Sequence, residues 1–205
     1  MKRTLSAILA LVMMLGLLTA CGGGETQQGG EQAAEKKYIR LSATSQQTTC
    51  NPFTAGSSVD TTFTGYISSG LYGVIPDPAT KKGARIPVFA DGLPVDVSGD
   101  GTVWQIKVRE DAKWSDGDPI NADTFLYSWK MCLDPKLLCS GAGNLATRYV
   151  KILNAEAYYM QLTSGVEVAW EDVGIKKVDD YTVEITLEEP YTLTEMMQQF
   201  AQQCS

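Results

Sequence analysis

The chain has no histidine among its 205 residues. That absence removes the Ser-His-Asp triad, the Cys-His pair and the His-rich zinc site, which are the commonest ways to build a hydrolase. Basic residues are in deficit too, with 17 Lys and Arg against 24 Asp and Glu for a net charge of −7. Two of the 17, Lys2 and Arg3, fall at the very start, so the remainder is more acidic still. Such a balance argues against nucleic acid and against a basic membrane-binding face. The apolar run over residues 5–18 is shorter than the roughly 20 residues needed to cross a bilayer. Hydrophobic residues still make up 44% of the chain, enough for one packed domain or two small ones.

Lys2 and Arg3 followed by that short apolar run read as a signal peptide over residues 1–20. It ends Leu18-Thr19-Ala20-Cys21, which resembles the bacterial lipobox. The resemblance implies that Cys21 is diacylated on its thiol, becomes the first residue of the mature chain and anchors it in the membrane. An ordinary secretory peptide with Cys21 as a bystander is the alternative. Residues 22–37 are mostly Gly, Gln and Glu with no large apolar side chain, so residues 21–37 form a flexible tether. A coil of that length reaches roughly 20–25 Å. The expected location is the outer face of the cytoplasmic membrane, on the periplasmic side in a Gram-negative cell.

The most ordered signal is the stretch 114–129. Asp116-Gly117 is a turn, because Gly accepts a positive φ. Pro119 keeps Asp118 extended and delays the helix. Asn121 is the expected N-cap, with Asp123 in the first turn facing the positive end of the helix dipole. Phe125, Trp129 and Cys132, with Leu126 and Leu133 beside them, make one apolar face, and Asp134-Pro135 closes the helix. Upstream, Trp104, Ile106 and Val108 alternate with Gln105, Lys107 and Arg109, a strand with one buried and one wet face. Trp104 and Trp114 suggest an aromatic clamp, but alternation assigns Trp104 to the core.

This stretch, with the strand before it and Asp134-Pro135 after it, resembles the signature region of the family 5 extracellular solute-binding proteins, the oligopeptide-, dipeptide- and nickel-type receptors of bacterial ABC importers. The block from Val173 to Leu187 matches the family's hairpin, with Val183, Ile185 and Leu187 alternating and Asp179-Asp180 at the turn. Relatives usually carry an acid where this chain has Thr124, which implies a weaker helix cap. The resemblance implies a mixed α/β fold, the N-terminal part of a two-lobed periplasmic-binding-protein-like class II fold. Residues 38–205 would be the first lobe and its inserted subdomain, incomplete, because family members run to about twice this length or more. A truncated chain of this kind offers one wall of a site, so it is expected to show no measurable solute binding alone and to expose apolar surface.

Cys50-Asn51-Pro52-Phe53 resembles the family's (Asp/Asn)-Pro element, after which a loop offers main-chain hydrogen bonds to bound peptide. That assigns ligand contact to Ala55, Gly56 and Ser57; an ordinary Gly-Ser surface loop is the alternative. Oligopeptide-binding relatives place a ligand-side aromatic where this chain has Gly141. Elsewhere, residues 38–44 read as a strand, residues 59–72 as a helix burying Phe63, Ile67 and Leu71, and residues 191–203 as a helix. Leu145, Tyr149, Ile152, Leu153, Ala157 and Met160 suggest one or two helices ending near Ser164-Gly165.

Cys50, Cys132, Cys139 and Cys204 form an even set in an oxidising location. A Cys132–Cys139 disulfide is expected if the helix end and loop fold back, since geometry rather than spacing decides. Asp116, Asp118, Asp123, Glu171, Asp172, Asp179 and Asp180 all have turn or capping reasons for their positions. The leading expectation is therefore a binding protein and not an enzyme: a lipid-anchored, monomeric capture component for peptides that serves an ABC permease and ATPase, with no cofactor, metal or nucleic acid. A nickel- or metal-chelate receptor and a carboxylate-based surface hydrolase are the alternatives. Cys21→Ser is expected to abolish incorporation of radiolabelled fatty acid, read by autoradiography of the immunoprecipitated chain; undiminished labelling would refute the anchor.

Overall fold

The structure, a computed structural model, describes Arg40 and residues 42–201. The chain divides into two units after Ser42. Of the first unit only Arg40 and Ser42 are described, neither in a helix or strand; the elements all lie in the second. The signal peptide, Cys21, the tether and Cys204 lie outside the described residues.

In the second unit α1 (Ser58–Ile67) precedes a two-stranded antiparallel ribbon, β1 (Tyr72–Pro76) and β2 (Gly83–Pro87). Then come β3 (Val95–Asp96), β4 (Val103–Lys107), α2 (Ala122–Leu133), α3 (Ala142–Thr147) and α4 (Ala155–Ser164). The hairpin β5 (Ile175–Asp179) and β6 (Thr182–Thr186) and the short α5 (Leu193–Gln199) complete the order. The larger sheet runs β3-β4-β6-β5, antiparallel throughout. Period-two alternation puts Trp104 opposite Ile185 and Ile106 opposite Val183, and all four are buried. The helix α2 lies on β5 and β6 and buries Phe125, Trp129, Cys132 and Leu133, as its spacing predicts. Its entry is latched from outside: Ala122 N–H donates to the Asp180 carbonyl, and Lys177 bridges Asp123 and Asp180 at 2.8 Å each.

Two tight nodes hold the rest. The Gly174 N–H donates to the Leu153 carbonyl, its own carbonyl accepts from Thr186 N–H, and Leu153 N–H donates to the Thr186 carbonyl. A Cβ at Gly174 would collide with the Thr186 carbonyl and come within 2.9 Å of Leu153 Cβ, so only glycine lets the three segments meet. The second node is the buried Gln199. Its Nε2 donates to the carbonyls of Asn144 and Leu145 at 3.0 and 2.8 Å, and its Oε1 accepts from Tyr149 N–H at 3.1 Å. In this way α5 ties down the carbonyl end of α3, where the Asn144 carbonyl also accepts from Arg148 N–H.

Several sequence expectations change. The first helix stops at Ile67, where Ser68 turns extended, and it buries Asp60 and Thr64 while Phe63, Tyr66 and Ile67 face out. The periodic trio Phe63, Ile67 and Leu71 therefore does not form its inner face. Leu71 is buried, but as the start of the ribbon, where its carbonyl accepts from Val88 and Ala90. Tyr149, Ile152 and Leu153 lie in the connector between α3 and α4, with Ile152 bridged to Leu187, so their helical spacing was coincidental. The last helix is shorter than residues 191–203, starting only after Thr192 caps it. Residues 42–44 carry no strand, and the remainder of that predicted strand, apart from Arg40, lies outside the described residues. Thr124 does not weaken the α2 cap: its hydroxyl accepts from Asn121 N–H, and its own N–H donates to Asn121 Oδ1, a complete capping box. Gly174→Ala is expected to cost about 3 kcal/mol, because the obstructing atoms are largely backbone and cannot swing away; urea unfolding of the two proteins measures it.

Candidate functional site

The loop that carries Ala55, Gly56 and Ser57 is built by short-range polar contacts and one long-range lock. Asn51 Oδ1 accepts from Phe53 N–H, and the Asn51 carbonyl accepts from Thr54 N–H, which folds the Asn-Pro element into a turn. Ser57 is the N-cap of α1, its hydroxyl accepting from Asp60 N–H at 3.0 Å. Asp60 is only 2% exposed and accepts from Thr48 N–H (2.7 Å), the Thr48 hydroxyl (2.6 Å) and Thr49 N–H (3.3 Å). Those hydrogen bonds, the Thr48 hydroxyl first, hold its carboxyl well below the ordinary range. The segment entering the loop is thus pinned to the helix leaving it.

The predicted residues have different environments. Ala55 is buried, and its carbonyl accepts from the Ser140 hydroxyl at 3.3 Å. Gly56 is exposed, and a Cβ built on it would meet nothing within 4 Å. Ser57 serves the helix cap. Gly141, where relatives have an aromatic, adjoins Ser140 and is buried. Cys132 and Cys139, just before Ser140, place their Sγ atoms 3.5 Å apart.

A separate open groove of about 870 Å³ lies between the end of α1, the turn at Trp114 and the first half of α2. Its walls include Phe53, Tyr66, Ile67, Phe89, Trp114 and Tyr127. Ala55, Gly56 and Ser57 do not line it, although Pro52 and Phe53 do. Trp114, held by the turn in which its N–H donates to Asp118 and its carbonyl accepts from Gly117, stays 52% exposed. Trp104 is buried with its indole donating to the Gly101 carbonyl, so the two tryptophans do not form a clamp. Sequence reasoning missed Thr48, Asp60, Ser140, Tyr66 and Tyr127. Only Ser140 had a signal, its place in the small-residue run beside Gly141; the others depend on contacts between distant segments.

Among the described residues, the carboxyls with shifted proton affinity are Asp60, Asp77, Asp96, Asp100, Asp111, Asp179 and Glu195. All are held low by hydrogen bonds from hydroxyls, backbone N–H groups or, for Asp111, the Arg109 guanidinium. Ionised acceptors of this kind do not serve as general acids near neutrality. Asp116 and Asp179 accept from the N–H groups of Asp118 and Tyr181, so they are turn formers as expected. Burial pushes the Tyr72 hydroxyl upward, away from any acid–base role.

Fold and surface define a binding module of mixed helix and sheet, part of the two-lobed periplasmic-binding-protein-like class II fold. The model of the family described as "Bacterial extracellular solute-binding proteins, family 5 Middle" matches residues 73–205, and the chain belongs to that family. It is a family of binding proteins and not of enzymes. The oligopeptide-binding protein OppA of Bacillus subtilis (strain 168) is 27% identical over 199 residues, which is 93% of this chain and 32% of that protein. Among solved structures, the pheromone receptor PrgZ, described for its mode of peptide binding, aligns with a TM-score of 0.63 at 27% identity, covering 77% of this chain and 28% of the receptor. Listeria monocytogenes OppA bound to peptide gives 0.59 at 31%, covering 76% and 27%. The chain therefore spans about a third or less of the length of these relatives.

The Asp60 lock has a defined pH signature. A carboxyl held low in the folded state adds stability above its unfolded value of about 4 and loses it as pH falls from there toward the folded value. The wild type is expected to lose more stability than Asp60→Asn on acidification below about pH 4, read as the shift in urea midpoint. Equal losses would show that Asp60 is not locked.

Proposed function

We propose that this chain captures peptides outside the cytoplasmic membrane for an ABC importer, tethered by a lipid on Cys21. The single observation that carries the reading is the Ser140–Ala55 hydrogen bond. It joins two segments that the family resemblance assigns independently to the ligand side, the loop at Ala55, Gly56 and Ser57 and the position at Gly141. The two are 85 residues apart in sequence, yet they share one edge of the fold. A peptide running along that edge would meet backbone at Gly56, where no side chain intervenes. Support also comes from the relatives, one of which is named for oligopeptides and another of which was solved bound to peptide. The acidic composition suits capture away from anionic headgroups, to which a basic surface would adhere. Permease and ATPase subunits would be the partners that take the solute onward.

One wall of a site is expected to give no binding that an ordinary titration can measure, so nuclear magnetic resonance, which registers contacts far weaker than micromolar, is the suitable readout. Addition of short peptides at millimolar concentration is expected to shift the Gly56 amide and its neighbours, with a Kd of about 1 mM or weaker. Gly56→Trp fills the edge without strain, because its Cβ has open space around it. It should abolish the shifts while leaving the melting temperature within about 1 °C. Shifts that persist in Gly56→Trp, or their absence in the wild type at 10 mM peptide (about ten times that Kd), would overturn the assignment.

A further inference from the structure

The end of α2 and the loop after it fold back on each other through short-range hydrogen bonds. Asp134 closes the helix by donating its N–H to the Met131 carbonyl, and its Oδ1 accepts from Lys136 N–H at 2.8 Å. The Asp134 carbonyl accepts from Leu137 N–H. Leu138 then takes φ 50, the left-handed region that a branched residue avoids. Its side chain is 76% exposed, so burial does not offset that conformation. The reversal delivers Cys139 onto the last turn of α2, where Cys132 and Cys139 are 0% and 1% exposed and their Sγ atoms are 3.5 Å apart. Both sulfurs lie in the main core cluster with Trp129, Leu133 and Ala142.

We infer that Cys132 and Cys139 are joined by a disulfide in the folded, exported protein. The 3.5 Å between the Sγ atoms is already short against the Cα and Cβ spacings a bridge requires, and a bond of about 2.05 Å closes the remainder. The oxidant is an external disulfide, either a small-molecule thiol in its oxidised form or a dithiol–disulfide oxidoreductase. One cysteine thiolate attacks a sulfur of that disulfide, forming a mixed disulfide and expelling one thiolate. The second cysteine thiolate attacks the first cysteine's sulfur and expels the other. One S–S bond forms in the protein and one breaks in the oxidant; the two cysteines give up two protons and two electrons. Burial of both sulfurs places the exchange during folding, before the core closes over them. Ser140 follows Cys139 directly, so the bridge also anchors the hydroxyl that holds the Ala55 carbonyl. The bridge itself does not depend on what that loop binds.

The decisive experiment is disulfide mapping on the full chain, made in a reducing cytosol so that Cys21 stays unprocessed. The chain is refolded in a glutathione redox buffer, denatured without reduction, alkylated and digested with trypsin. Cleavage after Lys130, Lys136 and Arg148 separates Cys132 and Cys139 onto peptides 131–136 and 137–148. These are expected to appear as one disulfide-linked species, with Cys21, Cys50 and Cys204 alkylated. The species should survive Cys50→Ser and vanish in Cys132→Ser and in Cys139→Ser. Recovery of both peptides alkylated in the wild type, or linkage of either to a third cysteine, would overturn the inference. Because the wild-type map decides, misfolding of a variant does not obscure the result.

Discussion

The burial of Trp129 is the constraint to which the other elements answer. Its indole is fully enclosed, with ring centroids 5.8 Å from Phe125 and 5.2 Å from Phe200. A side chain of that size removes on the order of 200 Å² from water, worth about 5 kcal/mol at the usual coefficient. Among the described residues its Nε1–H finds no hydrogen-bond partner, which costs roughly 1–3 kcal/mol. The balance favours burial, so α2 keeps its tryptophan inside even at the expense of a stranded donor. Phe200 follows directly after α5, and its carbonyl accepts from Tyr72 N–H, so the same stack draws β1 against the end of the described chain. Loss of that stack would loosen α2, α5 and the ribbon together.

From this centre the surface features follow. Because α2 spends its apolar face on the core, Tyr127 on its other side remains 63% exposed and forms one wall of the groove. Because Asp60 turns inward to serve Thr48 and Thr49, Phe63, Tyr66 and Ile67 turn outward. The aromatic groove is therefore a consequence of polar burial in α1 as much as of apolar content. The Ala55 edge is held differently, by a hydroxyl from a segment far along the chain. Both surfaces are positioned by the scaffold, and the carboxylate that reaches the groove, Asp123, is paired with Lys177.

This arrangement agrees with membership of a solute-binding family. Ion pairs such as Lys177 with Asp123 and Asp180 lie at the rim, where they latch the hairpin to the first turn of α2. Exposed pairs of this sort fix register more than they stabilise.

Much of the fold was legible locally. The turn at Asp116-Gly117, the cap at Asn121, the α2 face and the alternation in β4 and β6 all depend on residues within a few positions of one another, and φ preference and period are properties of short segments. The candidate edge was legible only in outline, as a loop of small residues and an adjoining small-residue run. What the sequence by itself determined is the α2 helix with its cap and stop, which faces of β4 and β6 are apolar, and that histidine-based chemistry is absent. The tertiary structure alone decided which way α1 faces, that Tyr149, Ile152 and Leu153 form a connector, and that Ser140 meets Ala55 and Cys139 meets Cys132. The physical reason is range: Asp60 faces inward because Thr48 satisfies it from 12 residues away, and a hydrogen bond across 85 residues leaves no periodic trace in the chain.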